Sequence, residues 1–174
     1  MKHSKGFTLI ELVVVIVVLG VLAVTAAPRF IDLQSDARIA TLQGLKAAII
    51  DGADLTYSKA LVDGVESESD ASVQNPSSPN GFIVTHFGYP NAVFNLGISQ
   101  AIDIDMADWA TASNVDHPNG DPGLYAEGIT LIELTNGGAD VDEATLKATN
   151  CYIVYGESPA QGEQPQIEMV TTGC

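Results

Sequence analysis

An α+β fold is predicted: a long N-terminal α-helix, membrane-spanning in its first half and amphipathic in its second, packed on a C-terminal antiparallel β-sheet. Three observations support it. Phe7 to Ala27 is an almost unbroken aliphatic run, residues 28 to 61 repeat apolar side chains at helical spacing, and four short β-rich stretches follow between turn-forming residues. Of 174 residues 46% are hydrophobic, and that apolar content is concentrated at the N-terminus. One membrane segment plus one small domain is therefore expected.

The first element starts after "MKHSKG", which carries Lys2 and Lys5. As an α-helix, Phe7 to Ala27 would rise about 32 Å, close to the hydrocarbon thickness of a bilayer. Basic residues ahead of the span predict a cytoplasmic N-terminus. A cleavable secretory signal is the competing reading, with "AVTAAP" offering cuts after Ala26 or Ala27. Against it, the run is long for a signal core and continues into a helical pattern: Phe30, Leu33, Ala37, Ala40, Gly44, Ala47, Ala48 and Leu55 recur every three or four residues. From Phe7 to Leu61 the helix would extend roughly 80 Å, more than so small a domain can cover. Pro28 lacks an N–H and is expected to bend it.

Glu11 is the charged residue inside the aliphatic run. A carboxylate at the centre of a membrane helix costs about 2.5–3.5 kcal/mol, and less near an end, so a partner or a function is expected for it. No cation lies at helical spacing within the span. A cut between Gly6 and Phe7 would create an α-ammonium group, with which a neighbouring subunit's Glu11 could pair.

After Leu61, "VDGVESESDASVQNPSSPNG" predicts a loop of about 20 residues. Strands are predicted at Phe82–Phe87, Gly128–Leu134, Cys151–Glu157 and Gln166–Thr172. Between the first two, Ile98, Ile102, Met106 and Trp109 share one helical face, although Ile102, Ile104 and Met106 also alternate as in a strand; a short helix is expected. A hairpin of the last two strands turning at Gly162 would set Ile153 opposite Thr172, Tyr155 opposite Val170, and Cys151 opposite Cys174. An even cysteine pair in an exported chain predicts a Cys151–Cys174 disulfide and an oxidising compartment.

The formal charge is −15, and Lys147 is the only Lys or Arg beyond residue 60. Nucleic acid is thus not an expected partner. Phosphate-binding loops, paired-cysteine motifs and nucleophile elbows are missing from the sequence, and the histidines are too few and scattered for a triad or a zinc site, His86 and His117 alone remaining once the leader is removed. No enzymatic activity, cofactor or resident metal is expected. The acidic stretches "DIDMAD", with Asp103, Asp105 and Asp108, and "ADVDE", with Asp140, Asp142 and Glu143, could attract calcium, yet neither has EF-hand spacing. Tyr89, Trp109, Tyr125 and Tyr152 could stack on sugars, but core or subunit contacts are the stronger expectation.

"KGFTLIELVVVIVVLGVLAVTAAPRF" resembles the processing site and N-terminal helix of type IV pilins and pseudopilins. The resemblance implies a type IV pilin fold with a leader at 1–6, a transmembrane and filament-core helix at 7–28, an amphipathic helix at 29–62, and a disulfide-bonded globular sheet domain at 63–174. It further implies cleavage after Gly6 by a prepilin peptidase, N-methylation of Phe7, an assembly role for Glu11 and a helix kink at Pro28. Implied partners are other copies of the chain in a helical homopolymer, the inner-membrane pilus machinery, the membrane, and surface glycans as candidate ligands. The expected location is the inner membrane, single-pass, before assembly, and an extracellular pilus of a Gram-negative bacterium afterwards. "TAAPRFIDLQSDARIATLQGLKAAI", "FGYP", Asp108–Trp109 and the closing "CYIVYGESPAQGEQPQIEMVTTGC" are similar to the mannose-sensitive haemagglutinin pilins of marine bacteria, which implies attachment and biofilm formation. A type II secretion pseudopilin and a membrane-anchored periplasmic binding module are the alternatives.

Overall fold

The computed structural model describes residues 7–93, 95–118, 120 and 124–174, with the side chains of residues 27–32 and Met106 outside that description. It divides into two units, meeting at Arg38 and Ile39. The leader residues, including Gly6, lie outside the described residues, as does the side chain of Pro28 and with it the expected kink.

Helix α1 runs Leu9–Asp63 and contributes to both units. In the first unit every side chain from Phe7 to Ala26 is exposed. Leu9–Ala26 is long and apolar enough to cross a membrane, judged by length and composition. Valines 13–15, 17 and 18 form a poor helix in water, but in lipid the backbone must bond internally, and the helix is the one-segment way to do so. Thr25 is accommodated in this run because its Oγ1 donates to the Leu22 carbonyl at 2.9 Å.

In the second unit the later part of α1 lies on two antiparallel sheets. The first has three strands in the order β1 (Ala71–Gln74), β2 (Phe82–His86) and β3 (Tyr89–Pro90). The second has four, β4 (Trp109–Ser113), β5 (Ala126–Leu131), β6 (Tyr152–Gly156) and β7 (Gln166–Val170), each paired with its sequence neighbour. Two short helices, α2 (Ile98–Ala101) and α3 (Glu143–Thr149), complete it.

Strand alternation gives the four-stranded sheet two apolar faces. Trp109, Ile129, Ile153 and Tyr155 point one way and pack with Leu42, Leu45 and Ile49 of α1 in the main core. Ala112, Ala126 and Val154 point the other way and are covered by Leu146 of α3. Ala60, Val73 and Ile83 form a smaller core under the three-stranded sheet. Gly52 lets α2 approach α1, since a Cβ there would fall 2.6 Å from the Ala101 carbonyl oxygen.

Several expectations are corrected. The sheet is two sheets. The 20-residue loop contains β1, whose Val73 is buried. β2 ends at His86 because Phe87 and Gly88 both have positive φ, the signature of the tight turns that suit hairpin twist. At Gly88 the side chain of Tyr57 and the backbone of Glu66 leave no room for a Cβ. The short helix stops at Ala101, its C-cap Ile102 being extended. Trp109 belongs to β4, a strand that the alanine- and threonine-rich sequence hid.

The hairpin register also differs. Tyr155 pairs with Ile167 and Ile153 with Met169, three residues from the expected partners, because the connection loops over Glu157–Pro165 and is asymmetric about Gly162. Cys174 is therefore not opposite Cys151 on a continued strand. The chain turns back after β7: Cys174 N–H donates to Thr171 O at 3.2 Å and Gly173 N–H to Asn150 O at 2.8 Å. That turn brings Cys151 and Cys174 into a disulfide with Cα atoms 4.8 Å apart.

α3 went unpredicted, although its caps are in the sequence. Asp142 accepts from Thr145 N–H at 2.7 Å as N-cap, and Asn150 takes the left-handed C-cap conformation. Lys147 in its last turn pairs with Glu143 at 2.6 Å and Asp116 at 3.0 Å, tying α3 to the loop after β4.

Two buried carboxylates differ in how they are held. Glu157 accepts from Tyr125 N–H at 3.0 Å, and its carbonyl meets His117 Nε2 at 3.0 Å, so it pins the chain before β5 to the end of β6. Glu127 on β5 is 0% exposed, and neither of its carboxylate oxygens makes a hydrogen bond among the described residues. Its flanking register partners are Ser113 and Tyr155. Burial raises its pKa to about 7; Ser113 lowers it somewhat, from a position that falls short of hydrogen-bond geometry, and Asp140 raises it further.

Opening the disulfide is expected to cost roughly 3.5 kcal/mol by the loop-entropy model, for closure across a 23-residue separation. Urea unfolding of the full chain in detergent, with and without Cys151→Ser and Cys174→Ser together, measures it. Glu127 supplies a pH signature. Its folded pKa of about 7 exceeds the ordinary glutamate value of 4.5, so the folded state holds a proton that the unfolded state releases, and stability falls as pH rises between those values. The full difference is roughly 3 kcal/mol. Glu127→Gln should flatten that slope and raise stability above neutrality by about 1–3 kcal/mol, with little effect at acid pH; urea midpoints across the range check this.

Candidate functional site

The first unit presents a helix start. Thr8 precedes the first helical residue, and its Oγ1 accepts from Glu11 N–H at 3.3 Å. Glu11 reaches back: its Oε2 accepts from Thr8 N–H at 2.8 Å and from the Thr8 hydroxyl at 2.6 Å. Thr8 O accepts from Leu12 N–H at 3.3 Å. This is a reciprocal capping box, in which residues 8 and 11 each satisfy a backbone donor of the other.

The expectation for Glu11 is thereby sharpened. The carboxylate has a local partner in its own chain, at the end of the helix where the aligned peptide dipoles favour negative charge. Its other oxygen, Oε1, takes no hydrogen bond from the described residues. Thr8 is the residue that a search for charge missed. The signal was present as T-x-x-E at residues 8–11 directly before the apolar run.

Phe7 stands immediately before this cap and is 90% exposed. After it come Leu9, Ile10 and Leu12, then exposed side chains to Ala26 that are apolar apart from Thr25. The end and the sides of this helix therefore offer two chemistries together. A charged carboxylate is fixed at the N-terminus, and an unpartnered hydrocarbon surface extends for about five turns below it.

The second unit does not bring its other candidates together. His117 is buried against Glu157, and His86 packs edge-on with Phe87 at 4.6 Å. Tyr89 is buried and stacked on Tyr57 at 4.5 Å, Trp109 lies in the main core, Tyr152 packs beside Val154, and Tyr125 is exposed. The four aromatics do not form a common sugar-stacking face. In the acidic stretches Asp142 caps α3, Glu143 pairs with Lys147, and Asp105 Oδ1 accepts from Ala107 N–H at 3.0 Å. The carboxylates of Asp105, Asp142 and Glu143 are thus committed locally, and no group of three His, Cys, Asp or Glu side chains converges among the described residues.

Residues 1–27 match the family model described as "Prokaryotic N-terminal methylation motif". The chain is 50% identical over 47 residues to the type IV narrow pilus major component PilA5 of Thermus thermophilus, covering 27% of this chain and 40% of that protein. It is 32% identical over 82 residues to a fimbrial protein of Pseudomonas aeruginosa, 47% of this chain and 51% of that one. A type IV major alpha-pilin of Moraxella bovis is 35% identical over 75 residues, 43% of this chain and 47% of its own length. The chain thus spans about half the length of the curated relatives it matches. No solved structure matches it.

Proposed function

We propose that this chain is a type IV pilin, a structural subunit that polymerises through the segment starting at Phe7. The observation that carries the proposal is the exposed apolar helix Leu9–Ala26, opened by the Thr8–Glu11 cap and contained in the methylation-motif match. The names of the relatives support the same reading.

Before assembly the helix sits in the inner membrane with its first residues in the cytoplasm. A prepilin peptidase cuts between Gly6 and Phe7 and methylates the new amine. The inner-membrane machinery then transfers the subunit into a filament, where neighbouring helices replace lipid around residues 7–28, with Pro28 bending the helix above them and residues 63–174 outside. Glu11 keeps Oε2 on Thr8 and offers Oε1 to the α-ammonium of an adjacent Phe7. In a dry helix bundle an ammonium without a counter-charge is costly, so this pairing selects axial register. The role is structural and needs no catalytic group.

The finer placement is with the mannose-sensitive haemagglutinin pili, serving attachment and biofilm formation outside a Gram-negative cell. It is supported by "FGYP", Asp108–Trp109 and the stretch from Cys151 to Cys174. Long surface filaments containing this chain distinguish it from a type II secretion pseudopilin, which would build a short periplasmic piston.

Mass analysis of the mature chain should find N-methyl-phenylalanine at residue 7; an intact Met1, or a start near Ala27, overturns the proposal. Two variants at Glu11 separate the cap from the charge pair. Glu11→Gln keeps an acceptor for the Thr8 N–H, and Glu11→Val removes cap and charge together. Both are expected to insert into the membrane and both to reduce piliation about tenfold or more, as the loss of a close buried pair implies. Wild-type filaments from Glu11→Gln in electron micrographs would leave Glu11 with the cap alone.

A further inference from the structure

Glu127 is fully buried on β5, and neither of its carboxylate oxygens makes a hydrogen bond among the described residues. What lies over it is a connecting segment rather than a helix or strand. Ser113 on β4 and Tyr155 on β6 flank Glu127 in register, so their side chains share its face of the sheet. The Tyr155 hydroxyl donates to the Pro90 carbonyl at 2.6 Å, and Ala92 N–H approaches Glu157 Oε2 at 3.5 Å. On the opposite side Ala92 and Val93 border a cavity of about 310 Å³ together with Ser113, Asn114 and Tyr125. The segment Pro90–Val93 therefore crosses the sheet end above Glu127, anchored to β6 and parted from β4 by the cavity.

The surroundings offer an ionised Glu127 no compensation. Its titratable neighbours are Tyr155 and Glu157 on β6, Asp140 beside β4 through the Thr111 bridge, and His117, whose Nε2 is held at the Glu157 carbonyl. Pro90–Val93 carries no ionisable side chain, and α1 meets this face of the sheet through Leu42, Leu45 and Ile49. Lys147 is engaged elsewhere, by Glu143 and Asp116. A carboxylate accepts at two oxygens and cannot donate, so without donors or a cation it must reach water. The cavity beyond Ser113 is the adjacent route.

We propose that Pro90–Val93 is a pH-operated latch: with Glu127 protonated it lies closed over the sheet end, and when Glu127 ionises the segment lifts from β6 and water enters beside Ser113. The closed form holds the proton, with a pKa of about 7 set chiefly by burial, whereas a hydrated glutamate titrates at 4.5. Opening therefore becomes easier as pH rises through that interval and levels off above it. From pH 5 to pH 8.5 these two values correspond to a rise of about 70-fold in the open population. Lifting the segment breaks the Tyr155–Pro90 bond, which joins the two sheets, and leaves the cores under α1 and α3 in place. The latch lies wholly within the second unit and does not depend on polymerisation.

Amide hydrogen exchange of the full chain in detergent tests this, read by mass spectrometry on peptides covering Pro90–Val93 and β6 and corrected for the pH dependence of the exchange chemistry itself. Protection of the Pro90–Val93 peptide should fall at least tenfold between pH 5 and pH 8.5, with most of the change below neutrality, while the β6 peptide changes far less. Glu127→Gln, which cannot ionise, should keep the segment protected across the range. Tyr155→Phe, which removes the bond to Pro90, should lower protection of the segment already at pH 5. Protection independent of pH overturns the proposal, and so does an equal fall in both peptides, which would mean that the whole unit loosens rather than the latch. A fall that persists in Glu127→Gln, or a Tyr155→Phe segment as protected as the wild type at pH 5, overturns it as well.

Discussion

The packing of Leu42, Leu45 and Ile49 of α1 against Ile129, Ile153 and Tyr155 of the four-stranded sheet is the contact on which the globular unit depends. A sheet with one apolar face needs a cover, and this sheet has two such faces. The second half of α1 covers one, and the seven residues of α3 cover the other. Most of the remaining architecture follows from keeping these layers in place. The Cys151–Cys174 bridge ties the chain end to the start of β6, the strand at the centre of both cores, and Tyr155 donates to the Pro90 carbonyl at 2.6 Å, joining that strand to the neighbouring sheet.

The helical half of this arrangement was legible in the sequence because its signals are local. Period and length define α1, which ends just before Gly64 at positive φ, and the β-branched runs at β2, β5, β6 and β7 were visible within two or three residues of their ends. What stayed hidden depends on distant contacts. β4 is built from "WATAS", whose alanines are chosen for the space under α3 rather than for strand propensity. β1 is short enough to be read as loop, and only its pairing with β2 makes it a strand. The three-residue shift of the last hairpin has the same origin: a nine-residue connection sets register by its internal bonds, including Ser158 Oγ to Glu163 O at 2.7 Å, which no count from a central glycine reveals.

The acidic residues teach a related lesson. A cluster of carboxylates in sequence suggests cation affinity, yet here Asp142 is a helix cap, Glu143 is a salt-bridge partner, and Asp105 stabilises a turn. The carboxylates with the sharpest physical consequences are isolated ones. Glu127 is buried without a hydrogen-bond partner among the described residues, on a strand between two others, where desolvation favours its neutral form. Glu157 is buried with backbone donors and is stably accommodated. Burial and partners, not spacing, separate the two.

The same distinction applies to Glu11. Considered as a charge in hydrocarbon, it demands an external cation; considered as the third residue of a helix, it already has two bonds to Thr8. These descriptions are compatible because a carboxylate has two oxygens. One is used to close the helix end, which fixes the side chain's rotamer and aims the other away from its own backbone. A side chain free to rotate would lose entropy on meeting an incoming amine, whereas one already held by its neighbour loses little. The cap therefore does more than start the helix. It pre-positions the charge, so that a new N-terminus arriving beside residue 11 meets a carboxylate that is already oriented.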